Sequence, residues 1–137
     1  KKEAQILAIE LKDDEGHVCT EFFANQDICI HITISNHCEH QDARLNFSIL
    51  DKYENLIFIT RRNLDFKGTK TWIVKVPKDN LIANNYIIGL ALDIPKIKLL
   101  DFPDRKMNLN IVNIEQEEFK LGDIDNGIFK IPVTWKL

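Results

Sequence analysis

The sequence predicts an all-β protein, an antiparallel β-sandwich of the immunoglobulin-like or jelly-roll-like kind with about eight strands. Three observations predict it. Apolar residues recur at every second position in most of the chain, turn-forming Gly, Pro, Asn and Asp separate these runs, and no stretch sustains a 3.6-residue period. Strands at regular spacing without intervening helices favour an antiparallel sandwich over a doubly wound α/β sheet.

The first strand is expected from Gln5, with Leu7, Ile9 and Leu11 on one face, and Asp13-Asp14-Glu15-Gly16 breaks it with turn chemistry. The clearest strand follows, where Ile28, Ile30, Ile32 and Ile34 alternate with Cys29, His31, Thr33 and Ser35. After the polar loop from Asn36 to Asp42, Leu45, Phe47 and Ile49 alternate with Asn46 and Ser48. Asp51 to Asn55 then turns the chain into Leu56 to Thr60, which predicts a hairpin. Gly68 opens the next run, in which Trp72, Val74 and Val76 share a face until Pro77 removes an N–H from the ladder. Tyr86, Ile88, Leu90 and Leu92 share a face, with Ile87, Gly89 and Ala91 on the other. Asn108 to Ile114 and Ile128 to Trp135 supply the last two β-rich stretches. The best helical window, Pro95 to Leu100, is too short to matter.

The 137 residues suit one domain, spanning 1–137, that can bury a packed core without disulfide or metal staples. With 18 Lys and Arg against 21 Asp and Glu, the net charge of −3 gives no positive field to collect phosphate backbones, so nucleic acid is not an expected partner. The longest apolar stretch, Tyr86 to Leu92, falls far short of the roughly 20 residues of a membrane span. Lys1-Lys2-Glu3 carries neither an initiator Met nor a signal-peptide core, so the chain is expected to be a fragment of a longer polypeptide or a processed chain. Cys19, Cys29 and Cys38 are odd in number and lack a C-x-x-C spacing, which points to a reducing compartment.

No motif carries specific catalytic chemistry. Phe66 to Thr71 shares residue types with the end of a phosphate loop, but a β-branched strand follows where a helix N-terminus is needed. His37-Cys38-Glu39-His40 offers three soft-metal ligands in four positions, yet adjacent loop residues rarely aim at one centre. Asp123, Asp125 and Asn126 before Gly127 miss the phasing of a calcium loop, and Glu115, Glu117 and Glu118 read as a solvated edge. No cofactor and no metal are expected, and the domain is expected not to be an enzyme. Trp72 and Tyr86 share faces with apolar neighbours and are expected in the core, whereas Trp135 is harder to place.

The order of signals resembles a known family. Phe22-Phe23-Ala24-Asn25-Gln26-Asp27 leads into the Ile-alternating strand. Gly68 opens Trp72-Ile73-Val74-Lys75-Val76-Pro77, and Leu81 precedes Asn85-Tyr86-Ile87-Ile88-Gly89-Leu90. The chain closes on Gly127-Ile128-Phe129-Lys130-Ile131-Pro132-Val133-Thr134-Trp135. This resembles the C-terminal domain of the ATP-binding subunit of polysaccharide-export ABC transporters (Wzt type), with Asn85 where the family often has Gly. The resemblance implies a β-sandwich that binds the O-antigen polysaccharide, often at a modified non-reducing end, so that only finished chains are exported. It implies an upstream ATPase domain that joins a transmembrane permease subunit at the cytoplasmic face of the inner membrane. It also implies a homodimer with C-terminal strands exchanged, in which Pro132 and Trp135 are dimer or core residues.

Two surfaces are candidates for the glycan. Gly89 and Ala91 leave a shallow trough, and Asn46 and Ser48 offer amide and hydroxyl groups beside it if the two strands are neighbours, with Asn110 expected to complete the site. The competing face carries His31 and Thr33 beside Thr71 and Lys75, where His31 and Lys75 would suit an anionic cap. The alternative function is an immunoglobulin-like dimerisation or protein-interaction module that binds no glycan.

Overall fold

Alternation of large apolar residues forces the chain into strands whose inner faces must be covered, and the computed structural model, which describes residues 2–103, 107–113 and 133–136, covers them with two packed sheets. The described strands are β1 (Ala4–Lys12), β2 (Glu21–Phe23), β3 (Ile28–Asn36), β4 (Arg44–Asp51), β5 (Leu56–Asn63), β6 (Gly68–Val76), β7 (Asn84–Ile94), β8 (Lys98–Asp101), β9 (Met107–Val112) and β10 (Thr134–Lys136). One sheet has the order β1-β3-β6-β10, and the other β2-β9-β7-β4-β5 with β8 also paired to β7. Every pairing is antiparallel except β2 with β9, which is parallel. No helix among the described residues is long and apolar enough to cross a membrane.

The core sits between the sheets. Ile28, Ile30, Ile32 and Ile34 of β3 and Trp72, Val74 and Val76 of β6 face Leu45, Phe47 and Ile49 of β4 and the alternate residues of β7 from Tyr86 to Ile94. Removing each such side chain from water contributes about 1.5–3 kcal/mol. Tyr86 is buried as expected; its hydroxyl donates to the Ile82 carbonyl at 2.7 Å, and burial pushes its ionisation up to about 12. Trp135 of β10 meets Trp72 and Phe47 edge to face, with centroids 5.9 and 6.5 Å apart.

Three details depart from the expected strands. In β1 the register slips between Ile6 and Ala8, so Leu7 is the extra residue of a bulge and points to solvent, while Ile6, Ile9 and Leu11 turn towards the core. The Ile6 N–H donates to the buried Asp101 carboxylate at 2.7 Å, and Lys2 pairs with the same carboxylate, so β8 ties the edges of the two sheets together. Second, the stretch from Pro95 to Leu100, too short for a helix, leads into a strand that was not expected. A tight turn closed by Ile97 N–H to the Ile94 carbonyl, with Lys96 at φ 65, sends the chain back as β8. Third, the short β2 carries only Phe22 into the core, too little to show a period in sequence.

Gly68 has φ 86 at the entrance to β6, so the segment with a phosphate-loop flavour is the turn before a strand that its context predicts. The Asp123-to-Gly127 segment, the glutamates at 115, 117 and 118, and Pro132 lie outside the described residues.

Candidate functional site

The strands that carry the first four trough residues are direct neighbours. β4 pairs with β7 so that Asn46 lies opposite Ala91 and Ser48 opposite Gly89. Period-two alternation puts all four on the outer face, because the residues between them fill the core. There they line a groove of about 370 Å3. Gly89 keeps its floor low: a Cβ at that position would lie 2.6 Å from Ser48 Oγ and 3.2 Å from Leu50 Cδ1, so both side chains would have to shift.

The groove reaches beyond those four residues. Leu50, Ile59 and Ile87 form apolar walls, and Glu54 stands at the β4–β5 turn. At the far side β9 pairs with β7 as far as Ile88 and β8 begins at Leu92, so among the described residues no strand covers residues 89–91 on that edge. Phe102, Pro103 and Ile9 line the groove there instead. These walls are contributed by four separate parts of the chain, and no local spacing announces them.

A polar network borders the groove. Arg44 Nε donates to Asp93 Oδ1 at 2.9 Å, Asn46 Nδ2 donates to the same oxygen at 2.9 Å and to the Ala91 carbonyl at 3.3 Å, and Arg61 Nε donates to Asn46 Oδ1 at 2.9 Å. The Asn46 amide, expected to be offered to a ligand, is therefore engaged by protein partners and acts by holding Arg61 and Asp93 in place. Ser48 Oγ makes only a long contact, 3.4 Å, to the Gly89 carbonyl and remains available to a ligand.

Burial opposes ionisation of Asp93, but hydrogen bonds from Arg44 and Asn46 and the charges of Arg44 and Arg61 outweigh it and hold the carboxyl below the usual carboxylate range. A depressed folded-state value contributes stability that is present above the unfolded value, about 3.9, and is lost as pH falls through the folded one. Asp93→Asn should flatten the loss of melting temperature between about pH 5 and pH 2 relative to wild type. Parallel acid limbs for the two proteins would show that the network carries no such linkage.

Asn110 does not complete this groove. It lies on β9 opposite Asn85, donates to Glu21 Oε2 at 3.0 Å, and lines a second groove with Thr20, Asn85, Asn108 and Leu109. The sequence placed Asn110 on the seventh strand without knowing which part of β7 that strand meets.

The competing face lies on the other sheet. Thr33 Oγ1 and Thr71 Oγ1 are bonded to each other at 2.9 Å, and His31 lies between Glu10 of β1 and Ile73 of β6. Burial and the charge of Lys12 lower the His31 pKa against the opposing effect of Glu10, which disfavours the charged imidazole. Lys75 is already paired with Asp27 at 3.4 Å. Of the two groups expected to hold an anion, His31 is thus disfavoured in its charged form and Lys75 already has a carboxylate partner.

No group of three or more His, Cys, Asp and Glu side chains converges on a metal position among the described residues. In the His37-to-His40 loop Cys38 is buried while both histidines are exposed, and His40 Nδ1 accepts from the Asp42 N–H at 3.0 Å.

This two-sheet fold matches that of a solved structure. The chain has the fold of the C-terminal domain of Wzt. The crystal structure of that domain aligns over 88% of this chain and 84% of its own, with a TM-score of 0.62 and 10% sequence identity. Comparison by sequence finds no matching family model and no matching curated protein. The likeness to the Wzt domain therefore lies in the fold.

Proposed function

We propose that this chain is a non-catalytic glycan-binding domain that recognises O-antigen polysaccharide, at its modified non-reducing end, for export by an ABC transporter. The observation that carries the reading is the outer groove. It combines a floor of small residues, Gly89 and Ala91, and the Ser48 hydroxyl with apolar walls, and the lining residue Asn46 holds Arg61 beside it. A sugar presents hydroxyls on its edge and C–H groups on its faces, so a site with both surfaces suits it. The apolar walls favour an uncharged terminal substituent over a phosphate. The shared fold with the Wzt domain supports the same reading.

In this reading the chain is the C-terminal part of a longer subunit, with an ATPase domain upstream that engages a permease at the cytoplasmic face of the inner membrane. It forms a homodimer by exchanging C-terminal strands. The support for exchange is local: β10 is three residues long, sits at a sheet edge on β6, and presents Trp135 to Trp72. A second copy could supply the same strand to the same edge.

The test is calorimetric titration of the domain with O-polysaccharide from the organism that encodes it, beside the same polymer stripped of its terminal modification. Binding to the modified polymer alone is expected. Failure of both polymers to bind would overturn the reading in favour of a dimerisation or protein-interaction module.

A further inference from the structure

The second groove, of about 350 Å3, lies on the same outer face as the first and shares β7 with it. Asn85, Ile87, Gly89 and Ala91 follow one another along the outward side of β7. Ile87, which walls the first groove, is directly opposite Asn108, which lines the second. From Gly89 to Asn85 is about 13 Å along a strand, a span that several linked sugar rings would cover and a single ring would not.

Leu109 also lines the second groove, and the groove's polar groups are of one kind. Asn85, Asn108 and Asn110 each carry two N–H donors and a carbonyl acceptor, and Thr20 is exposed beside them. Glu21 Oε2 accepts one Asn110 N–H and so fixes the plane of that amide. Amides that donate and accept side by side match vicinal hydroxyls, and no cation among the lining residues favours an anionic ligand.

We infer that Thr20, Asn85, Asn108 and Asn110 form a second sugar subsite, so that the ligand is a run of sugars lying along β7 with its terminal residue in the first groove. The inference rests on the glycan-binding reading above. Solvent-exposed hydrogen bonds each contribute little, but a ring tethered to one already bound meets the second subsite at high effective concentration.

The experiment compares intact O-polysaccharide from the encoding organism with its terminal fragment, cut too short to span both grooves. Wild type and the double variant Asn85→Ala/Asn108→Ala are titrated with each. The intact polymer should bind wild type about tenfold more tightly than the fragment, and the double variant should lose that advantage while holding the fragment with wild-type affinity. Equal affinity of wild type for polymer and fragment, or an undiminished advantage in the double variant, overturns the second subsite. Loss of fragment binding in a double variant that melts like wild type also overturns it, because the asparagines would then belong to the first site. Failure of wild type to bind either ligand removes the glycan-binding reading itself.

Discussion

Replacing Ala91 with tryptophan is expected to abolish polysaccharide binding while moving the melting temperature by no more than a few degrees. Ala91 points outward from the middle of β7, opposite Asn46, into the floor of the first groove. An indole there occupies the volume a sugar ring needs. The inner face is untouched, since Leu90 and Leu92 on either side carry the core contacts. Outward substitutions away from buried features usually change stability by less than about 0.5 kcal/mol, and a domain of this size shifts by a few degrees per kcal/mol. Ser48→Trp approaches the same floor from β4 and should act alike. Calorimetry and thermal melting on both variants check the pair, and undiminished binding in both would remove the groove as the binding site.

The second large effect concerns the core. Trp72→Ala should cost about 3–5 kcal/mol and lower the melting temperature by about 10–20 °C. Trp72 is fully buried, Phe66 packs edge to face against it at 5.5 Å, Trp135 at 5.9 Å, and the Arg62 guanidinium lies 4.6 Å over its ring. Its indole Nε1 finds no hydrogen-bond partner among the described residues. Trp72→Phe should therefore cost clearly less than its lost volume suggests, because it also removes an unsatisfied buried donor worth about 1–3 kcal/mol. Denaturant titration of both variants checks this. Equal losses for Phe and Ala would mean that the N–H is satisfied and that the ring's packing is more specific than its contacts indicate.

β3 was legible in the sequence because every second residue is Ile and both flanks are polar, and the structure buries all four isoleucines. Sandwich folds commonly place such strands side by side, and the pairing of the Asn46 strand with the Gly89 strand brings four of the predicted site residues into one groove. β8 was not legible. Leu99 and Leu100 are adjacent, and only Leu100 and Asp101 are buried, so no alternation distinguishes that strand from a short helical turn. The bulge in β1 was equally hidden, since Ile6 and Leu7 are both apolar and either could face inward.

By itself the sequence determined the all-β class, the inner and outer faces of the central strands, and the small and polar residues that floor the groove. These follow from period-two alternation, which is a property of neighbouring residues and needs no knowledge of the rest of the chain. Only the tertiary structure decided which polar groups remain free for a ligand. Asn46 and Arg61 are 15 residues apart, Asn46 and Asp93 are 47, and Lys75 and Asp27 meet from different elements, so the sequence shows the groups but not their engagement. It likewise separated Asn110 from the trough and placed it in a second groove. Hydrogen bonds and ion pairs depend on contacts within a few ångströms, and folding sets those contacts between residues that no local pattern relates.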